Sequence, residues 1–342
     1  MRGDASTRSY ARATLSGGGR NAPASLVVMM MQDAVVAISS EELGVFGKDG
    51  PKELAFVNVG RFLAGHSDAI PEIYGVSDDS RLLVLEDVGD LPLWDAAEGR
   101  PAELFGRALD LIAGLQARAV DDGSGCYAFA QAFDEKLFAW EFEHFLEYGV
   151  EASAAAALVA ASRAELAAVA ARLASLPRVF SHRDYHAWNI HLQSDPDGGA
   201  ERLRIIDFQD ALMAPALYDV ASLLTDRITP ERITPALEEE LLVRFYSRQK
   251  AGRLASLDET RAAYRLVALQ RVLKVVGRFH YLSDVKGKPH YLGFLPAVCG
   301  TARRLLATSD GVTATAELFE TAGRDPERRG QSPAGTVPLG AG

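Results

Sequence analysis

The sequence predicts an α+β protein with two lobes, a small β-rich N-lobe followed by a large, mostly helical C-lobe. Short alternating or apolar runs typical of strands fill the first 88 residues. Long segments with helical spacing dominate from residue 101 onward. Among these helical segments, residues 180–226 place polar side chains of catalytic type at the ends of short apolar runs. The order of elements thus predicts the lobes, and the polar residues predict where the chemistry lies.

The N-lobe is predicted to contain four strands and one helix. The alternating run 8–15 and the apolar run 25–31 are predicted strands. Apolar residues at helical spacing within 51–65, ending at a glycine, predict a helix. The runs 73–76 and 81–85 are predicted to pair as a hairpin, because the polar residues between them favour a turn. The predicted order is strand, strand, helix, strand, strand.

The C-lobe helices are predicted where apolar residues recur at helical spacing. They are expected over 102–119, 134–148, 152–175 and within 230–306. We expect the N-lobe to span residues 1–88 and the C-lobe residues 89–323. A composition rich in Gly, Pro, Ser and Arg predicts a disordered tail over 324–342.

Composition excludes several kinds of partner. The 342 residues are 48% hydrophobic and 24% charged, with a formal net charge of -10. Such a chain has no bulk attraction for nucleic acid or anionic membrane, so neither is expected as a partner. No apolar run is long enough to span a membrane, and no signal peptide is evident. Cys126 and Cys299 lie far apart and form no metal-binding pattern, which favours a reducing, cytoplasmic location.

Residues 182–189 form the most informative motif. They read HRDYHAWN, in which His182, Arg183, Asp184 and Asn189 match the pattern H-R-D-x-x-x-x-N. This is the catalytic-loop pattern of the protein-kinase-like fold. In phosphoryl transfer one carboxylate receives the proton of the attacking hydroxyl, so Asp184 is the predicted catalytic base.

A second motif follows after a short acidic and glycine-rich gap. The β-rich run 203–206 leads directly into Asp207 and Phe208. Amide and carboxylate oxygens hold Mg²⁺ on the phosphates of ATP in this chemistry, so Asn189 and Asp207 are the predicted metal ligands. A buried polar turn between two strands is the alternative. It does not explain why three hard-oxygen groups converge where a strand and a loop end.

Further stretches carry a family resemblance. They are GDASTRSYAR at 3–12, LLVLEDVGD at 82–90, HRDYHAWN at 182–189, DFQDALMAPALYDVASLLTD at 207–226, LQRVLKVVGRF at 269–279 and KGKPHYL at 286–292. With them the chain resembles the aminoglycoside phosphotransferase and choline kinase-like small-molecule kinases. Within that group it looks most like the bacterial anomeric N-acetylmuramate/N-acetylglucosamine kinases. The catalytic motifs specify only the kinase fold, whereas the 207–226 and 269–279 stretches favour the amino-sugar branch.

The resemblance implies a fold, a reaction and several residue roles. It implies a bilobal protein-kinase-like enzyme that uses ATP and Mg²⁺ to phosphorylate the anomeric hydroxyl of an N-acetylated amino sugar in cell-wall recycling. His182 would orient the catalytic loop, and Asp219 would brace it from the following helix; a helix N-cap is a compatible reading of Asp219. In such folds the connector after the N-lobe offers backbone groups to the purine. That role is expected of Glu86 and Val88, with a plain turn as the alternative.

The nucleotide-binding side departs from the usual kinase pattern. The strand 25–31 contains no lysine, so the α- and β-phosphates lack their usual cation. Arg8 or Arg12 is the candidate replacement, and a surface arginine on an edge strand is the alternative. Instead of a glycine-rich loop, Gly3 and Ser6 are predicted to bring backbone N–H groups to phosphate. Since the chain begins inside this motif, we expect either a start further upstream or an N-lobe without its first strand.

Two further loop residues are candidates for substrate contact. His186 is predicted to face the transferred phosphate or, together with Trp188, to shape the sugar pocket. A packed loop histidine is the alternative for His186.

Two other functions compete with an amino-sugar kinase. One is an aminoglycoside or other small-alcohol kinase, for which Glu141, Glu143 and Glu147 offer acidic groups unless they form a solvated helix face. The other is a non-catalytic nucleotide-binding pseudokinase, which the missing lysine favours. The intact trio of Asp184, Asn189 and Asp207 argues against a pseudokinase, because nucleotide binding alone needs no catalytic base.

Overall fold

A computed structural model describes the chain over 8–16, 23–31, 53–194, 199–249 and 254–326. These residues form two compact units. The first comprises the described residues up to Ala132 together with Phe180–Met213, and the second comprises Phe133–Val179 together with the described residues from Ala214 onward. Gly3, Ser6 and most of the predicted tail lie outside the described residues. The lobe boundaries expected from the sequence stay a prediction.

Among the described residues, a four-stranded antiparallel sheet and a helix make up the N-terminal part of the first unit. In chain order these elements are β1 (Arg8–Thr14), β2 (Ser25–Met31), α1 (Ala55–Ala64), β3 (Ile73–Val76) and β4 (Leu82–Glu86). The order in the sheet is β1-β2-β4-β3, with Arg12 opposite Val27 and Leu26 opposite Glu86. The predicted sequence of strand, strand, helix, strand, strand is confirmed. The register brings the arginine-bearing face of β1 close to the end of β4.

The rest of the first unit consists of helices and a hairpin. These elements are α2 (Leu93–Ala96), α3 (Pro101–Arg118), α4 (Tyr127–Ala130), β6 (Ile190–Gln193) and β7 (Arg202–Ile205). The helix α3 begins at a proline, which suits the first helical position because that N–H has no intrahelical partner. In the hairpin, Ile190 pairs with Ile205. The pairing therefore sets Asn189 and Ile206 side by side at the open end of the hairpin.

Two short strands lie where the chain passes between the units. They are β5 (Arg178–Ser181) and β8 (Leu212–Pro215), and they pair as a two-stranded sheet. The strand β5 enters the loop 182–189 directly, as the apolar residues before His182 predict.

The second unit, in its described residues, is built mainly from helices. They are α5 (Glu135–Tyr148), α6 (Ala156–Ala174), α7 (Leu217–Thr225), α8 (Pro235–Arg248), α9 (Leu257–Asp284), α10 (Leu295–Thr308) and α11 (Thr313–Ala322). The helix α9 opens with a capping box between Ser256 and Glu259 and packs on α5, α7 and α10. At Gly277 a Cβ atom would lie 2.7 Å from the His144 carbonyl oxygen, so this glycine permits the close crossing of α9 and α5. The predicted α+β class is confirmed.

One acidic residue of α5 differs from its expected setting. Glu141 is only 1% exposed. Its carboxylate lies 2.9 Å from Lys274 Nζ and accepts a hydrogen bond of 2.7 Å from Gln270 Nε2. A solvated helix face is therefore wrong for Glu141, although Glu143 and Glu147 are exposed. Helical spacing alone did not reveal that a lysine of α9 lies opposite. Over the described ranges, no helix is both long and apolar enough to cross a bilayer.

Candidate active site

Buried contacts fix the shape of the loop 182–189. Tyr185 is fully buried, and its hydroxyl donates a 2.7 Å hydrogen bond to the Ala108 carbonyl of α3. The Trp94 backbone N–H of α2 donates to the Ala187 carbonyl at 3.3 Å. The rings of Trp94 and Trp188 are stacked with their centroids 5.3 Å apart. The loop is thus held against α2 and α3 by two of its side chains and one backbone carbonyl.

Both ends of this loop contact Ile206, the residue before Asp207. The buried His182 places Nε2 3.0 Å from the Ile206 carbonyl oxygen. The Ile206 N–H donates to the Asn189 carbonyl at 2.9 Å. His182, Asn189 and Asp207 are therefore brought together by one residue of the chain. This geometry favours the orienting role predicted for His182, which stays a prediction.

Asp184 and Asn189 are joined through the backbone of the loop. The half-buried Asp184 accepts hydrogen bonds of 3.0 Å at its carbonyl from the Asn189 Nδ2 and from the His186 N–H. Because Nδ2 is turned toward that carbonyl, Asn189 Oδ1 faces elsewhere and accepts no hydrogen bond from the residues described here. The amide thus keeps one oxygen available for a ligand.

The two carboxylate oxygens of Asp207 have different surroundings. Oδ1 accepts hydrogen bonds from Arg8 Nη1 and from Gln209 Nε2, both at 3.0 Å. Oδ2 accepts none from the described part of the chain, and the side chain is 41% exposed. Together with Asn189 Oδ1, it offers two hard oxygens. Mg²⁺ is usually held by one or two such groups plus phosphate, so these residues fit that metal.

A closed protein cage for a metal does not form within the described ranges. There, no group of three or more His, Cys, Asp or Glu side chains is close enough to hold a metal ion. A site of one amide and one carboxylate relies on the phosphates of a nucleotide for its remaining oxygens, as phosphoryl-transfer sites do.

Arg8 is not a surface arginine, although β1 lies at the edge of the sheet. The residue is 7% exposed. Burial disfavours the charged guanidinium, but Asp207 and Tyr10 raise the pKa of Arg8 above its ordinary value. A permanent cation therefore stands beside the predicted metal ligand, in a protein whose β2 carries no lysine. Its role toward phosphate stays a prediction.

Arg12, four residues further along the same face of β1, contacts the connector after β4. Its guanidinium donates hydrogen bonds to both Asp87 and Asp90. Ser25 Oγ and the Gly89 N–H also donate to Asp87. Burial would raise the pKa of Asp87, but these hydrogen bonds hold it below its ordinary value. The pKa of Asp90 is lowered chiefly by Arg12.

The two predicted purine contacts in this connector differ. The Glu86 carboxylate pairs with the buried Arg204, and its N–H donates to the Glu72 carbonyl at 2.8 Å. By contrast, the backbone N–H and carbonyl of Val88 form no hydrogen bond with any residue the structure describes. A cavity of about 430 Å³ adjoins Val88. It is lined by Arg12, Ser25, Asp87, Val88, Gly89, Asp90, Leu91, Leu192, Gln193 and Ser194. The backbone of Val88 thus has no hydrogen-bond partner among the described residues, whereas the N–H of Glu86 is already bonded.

Backbone strain marks the two motifs. Arg183 has φ 73° and Asp207 has φ 63°, both in the left-handed region that few residues other than glycine adopt. Such residues cost free energy and cluster at functional sites. Next to Asp207, the buried Phe208 packs on Phe56 of α1 with ring centroids 4.6 Å apart. A Cβ atom on Gly60 would lie 3.0 Å from this ring, so the glycine makes room for it.

Gln209 and Asp210 are site residues to which the sequence reasoning gave no role. Gln209 is 3% exposed, and its Nε2 donates to Asp207 Oδ1 and to Asp210 Oδ2. Burial raises the pKa of Asp210, and the charges of Asp184 and Asp207 raise it further, while Arg183 opposes them. Asp210 is visible in the sequence as the second acid of DFQDA. The sequence pattern does not predict, however, that its side chain lies beside Gln209 and Asp207.

The remaining predicted residues are placed as follows. The half-buried His186 lies with its ring at 6.0 Å from that of Trp188, and its Nε2 is 3.4 Å from Asn189 Nδ2. The two rings therefore lie close to each other within the loop. The substrate contacts predicted for His186 and Trp188 stay predictions. Asp219 lies in the second unit and is fully buried. The N-cap interpretation of Asp219 is wrong, because the helix starts earlier and its N-cap residue is Ala216.

Comparison with known proteins identifies the family. The sequence model of the phosphotransferase enzyme family matches residues 48–265. An N-acetylmuramate/N-acetylglucosamine kinase of Pseudomonas aeruginosa is 31% identical over 252 residues, which cover 70% of this chain and 70% of that protein.

Solved structures agree on the fold. A choline/ethanolamine kinase family protein from Mesorhizobium loti superposes with a TM-score of 0.54 at 15% identity, covering 86% of each chain. The GDP complex of aminoglycoside 2'-phosphotransferase-IIIa gives a TM-score of 0.54 at 14% identity, covering 86% of this chain and 93% of that one. The family match extends over more than half of the chain. The chain therefore belongs to the phosphotransferase enzyme family and is a kinase with the protein-kinase-like fold.

Proposed function

We propose that this kinase transfers the γ-phosphoryl group of ATP to the anomeric hydroxyl of an N-acetylated amino sugar, N-acetylmuramate or N-acetylglucosamine, for cell-wall recycling. The observation that carries the proposal is that the Asn189 side chain donates to the Asp184 carbonyl while the Asn189 carbonyl accepts from Ile206, the residue before Asp207. The name of the Pseudomonas aeruginosa relative supports the choice of acceptor.

The proposed reaction forms one phosphorus–oxygen bond, breaks another and transfers one proton. The acceptor oxygen forms a bond to the γ-phosphorus, and the bond from that phosphorus to the β–γ bridging oxygen breaks, so ADP leaves. The proton of the acceptor hydroxyl passes to an Asp184 carboxylate oxygen. The loop contacts of Tyr185 and Asn189 hold Asp184 in place, and such positioning supplies much of the rate in this chemistry.

The nucleotide side uses four residues of the first unit. Asn189 Oδ1 and Asp207 Oδ2 would hold Mg²⁺, which when bound neutralises charge on the phosphates. Arg8 would contact the α- and β-phosphates in place of the missing lysine. Val88 would offer its N–H to the purine edge within the adjoining cavity. The GDP in the aminoglycoside phosphotransferase complex supports nucleotide binding by this fold.

The proposal includes a cytoplasmic location. The two cysteines, Cys126 and Cys299, are free and buried, as is ordinary in a reducing compartment. Protein partners are left open.

ADP release with Mg·ATP and a panel of acceptors tests the proposal. The panel contains N-acetylmuramate, N-acetylglucosamine, glucosamine, kanamycin, choline and no acceptor, with phosphorus NMR of any product. A 1-phosphate from the acetylated sugars is the expected result. Turnover of kanamycin or choline alone would assign the chain to another acceptor class of the family. No turnover with any acceptor, while ATP still binds, would favour the pseudokinase hypothesis.

A further inference from the structure

The second acid of the DFQDA stretch, Asp210, has no role in the reaction proposed above. Asp210 lies three residues after Asp207 and is half-buried. It stands within electrostatic range of Arg183, Asp184, Asp207 and Arg8. Burial and repulsion from Asp184 and Asp207 both disfavour a charged carboxylate at this position, so the presence of Asp210 calls for a functional explanation.

Gln209 fixes the direction of Asp210. The Gln209 side-chain nitrogen donates to Asp207 Oδ1 at 3.0 Å and to Asp210 Oδ2 at 3.2 Å. Because both partners are carboxylate oxygens, the end of the amide that faces them must be the NH₂ group. The oxygen of the same amide, Oε1, is buried and accepts no hydrogen bond from the described residues. A buried acceptor without a donor is unfavourable, so a ligand that supplies a donor is favoured.

Asp210, like Gln209, has one side-chain oxygen that accepts no hydrogen bond from the described residues. Its Oδ2 is occupied by Gln209, while its Oδ1 accepts no hydrogen bond within the part of the chain that the structure describes. Gln209 and Asp210 therefore each keep one acceptor oxygen without a donor among the described residues, an amide oxygen and a carboxylate oxygen. Such a pair recognises a molecule with neighbouring O–H or N–H donors.

We propose that Asp210 and Gln209 form an acceptor-binding subsite that recognises the hydrogen-bond donor on the carbon next to the reacting hydroxyl. In an N-acetylated amino sugar this donor is the N–H of the 2-acetamido group. Asp210 Oδ1 accepts from that N–H, Gln209 Oε1 accepts from a further hydroxyl of the sugar, and the anomeric hydroxyl is thereby directed to Asp184. The subsite rests on the proposed function and adds to it the group by which the sugar is selected.

The test compares Asp210→Asn with the wild-type enzyme on three acceptors. These are N-acetylglucosamine, glucose and 2-deoxyglucose, which carry an N–H, an O–H and no donor at the second carbon. The variant is expected to raise KM for N-acetylglucosamine at least tenfold and to leave KM for ATP unchanged. With 2-deoxyglucose, the variant and the wild type should bind with equal affinity, measured by saturation-transfer NMR.

Asp68→Asn, an exposed aspartate of the same unit, is the matched control, and thermal unfolding confirms that each variant is folded. Asp210→Ser is the second variant, because it is smaller and keeps a polar group. An unchanged KM for N-acetylglucosamine in both variants would overturn the subsite while the kinase proposal stands. An equal loss of affinity for 2-deoxyglucose would also overturn it. Wild-type enzyme that phosphorylates no acetylated sugar would overturn both proposals.

Discussion

Arg8 Nη1 lies 3.0 Å from Asp207 Oδ1, although 199 residues separate the two in the chain. The pair ties the edge strand β1 to the segment that follows β7. The Arg8 side chain is 5% exposed and that of Asp207 41%, so the cation is enclosed while the carboxylate still meets solvent. A nucleotide that brings metal to Asp207 would therefore find a guanidinium already in position.

Replacing Arg8 with alanine should weaken ATP binding. A hydrogen bond to a charged group contributes about 1.5–3 kcal/mol, so we expect the Kd for Mg·ATP to rise about tenfold or more. Isothermal titration calorimetry measures this, and the KM for the sugar should stay unchanged. Arg61→Ala is the control, because Arg61 lies on α1 with its side chain 67% exposed. An ATP affinity equal to that of the control would remove Arg8 from the nucleotide site.

Replacing Asp184 with asparagine should slow turnover strongly and spare nucleotide binding. Loss of a general base lowers kcat by about 10²–10⁴-fold. The Asp184 carbonyl that holds Asn189 is unaffected by the change, so Mg·ATP affinity should stay close to wild type. Single-turnover kinetics and calorimetry separate the two effects, with Asp68→Asn as control. A kcat within threefold of wild type would exclude Asp184 as the base.

The stabilising effect of Arg12 should disappear in acid. Asp87 and Asp90 have pKa values held below their ordinary range, so their pairing with Arg12 stabilises the folded state above the unfolded value of about 3.9. As the pH falls through the lowered folded-state pKa values, both carboxylates become protonated and this stability is lost. Since Arg12 is partly exposed, we expect a difference of about 1 kcal/mol between wild type and Arg12→Gln at pH 7.

Thermal unfolding at a series of pH values measures the Arg12 effect. The Tm difference between the two proteins should be constant from about pH 7 to pH 5 and should shrink below about pH 4. A difference that persists unchanged at pH 3 would show that Arg12 stabilises the fold by packing and not by its charge.

Replacing Gly60 with valine should destabilise the protein and impair the metal site. The new side chain would meet the ring of Phe208, which adjoins Asp207, and overpacking of this kind costs about 1–3 kcal/mol. Urea unfolding and the Kd for Mg·ADP report the two effects. Gly114→Val is the matched control, since a Cβ there meets only the flexible end of Arg118. Equal behaviour of the two variants would show that Phe208 can shift freely.

Replacing Lys274 with methionine should destabilise the second unit. The change leaves the Glu141 carboxylate buried without its cation, and breaking a buried pair on one side costs about 3–5 kcal/mol. Because the Lys274 side chain is 19% exposed, we expect the lower end of this range. The double variant Glu141→Gln with Lys274→Met should recover most of the stability in urea unfolding. A single variant as stable as wild type would contradict this account.

Local patterns predicted most of the elements in this fold. The alternation of β1, the apolar run of β2 and the polar turn between β3 and β4 are all readable in short windows, and the spacing from His182 to Asn189 predicts which loop carries the proposed base. Contacts between segments that are distant in the chain could not be predicted from the sequence. Nothing near Glu141 in the chain shows that Lys274 lies opposite, and the pattern around Arg8 left it open whether the side chain would be buried against Asp207. The free oxygens of Gln209 and Asp210 likewise depend on where β7 ends.

The two hydrogen bonds that His182 and Asn189 form with the Ile206 backbone have a consequence for laboratory evolution of this enzyme. Both bonds use the backbone N–H and carbonyl of Ile206, so they tolerate any side chain there except proline, which has no N–H. They do not tolerate a change in the number of residues between the two ends of the loop. An insertion or deletion would release one end from Ile206 and move the proposed base, Asp184, away from the proposed metal ligands. New acceptor preferences in this scaffold should therefore be sought by substitution at constant loop length.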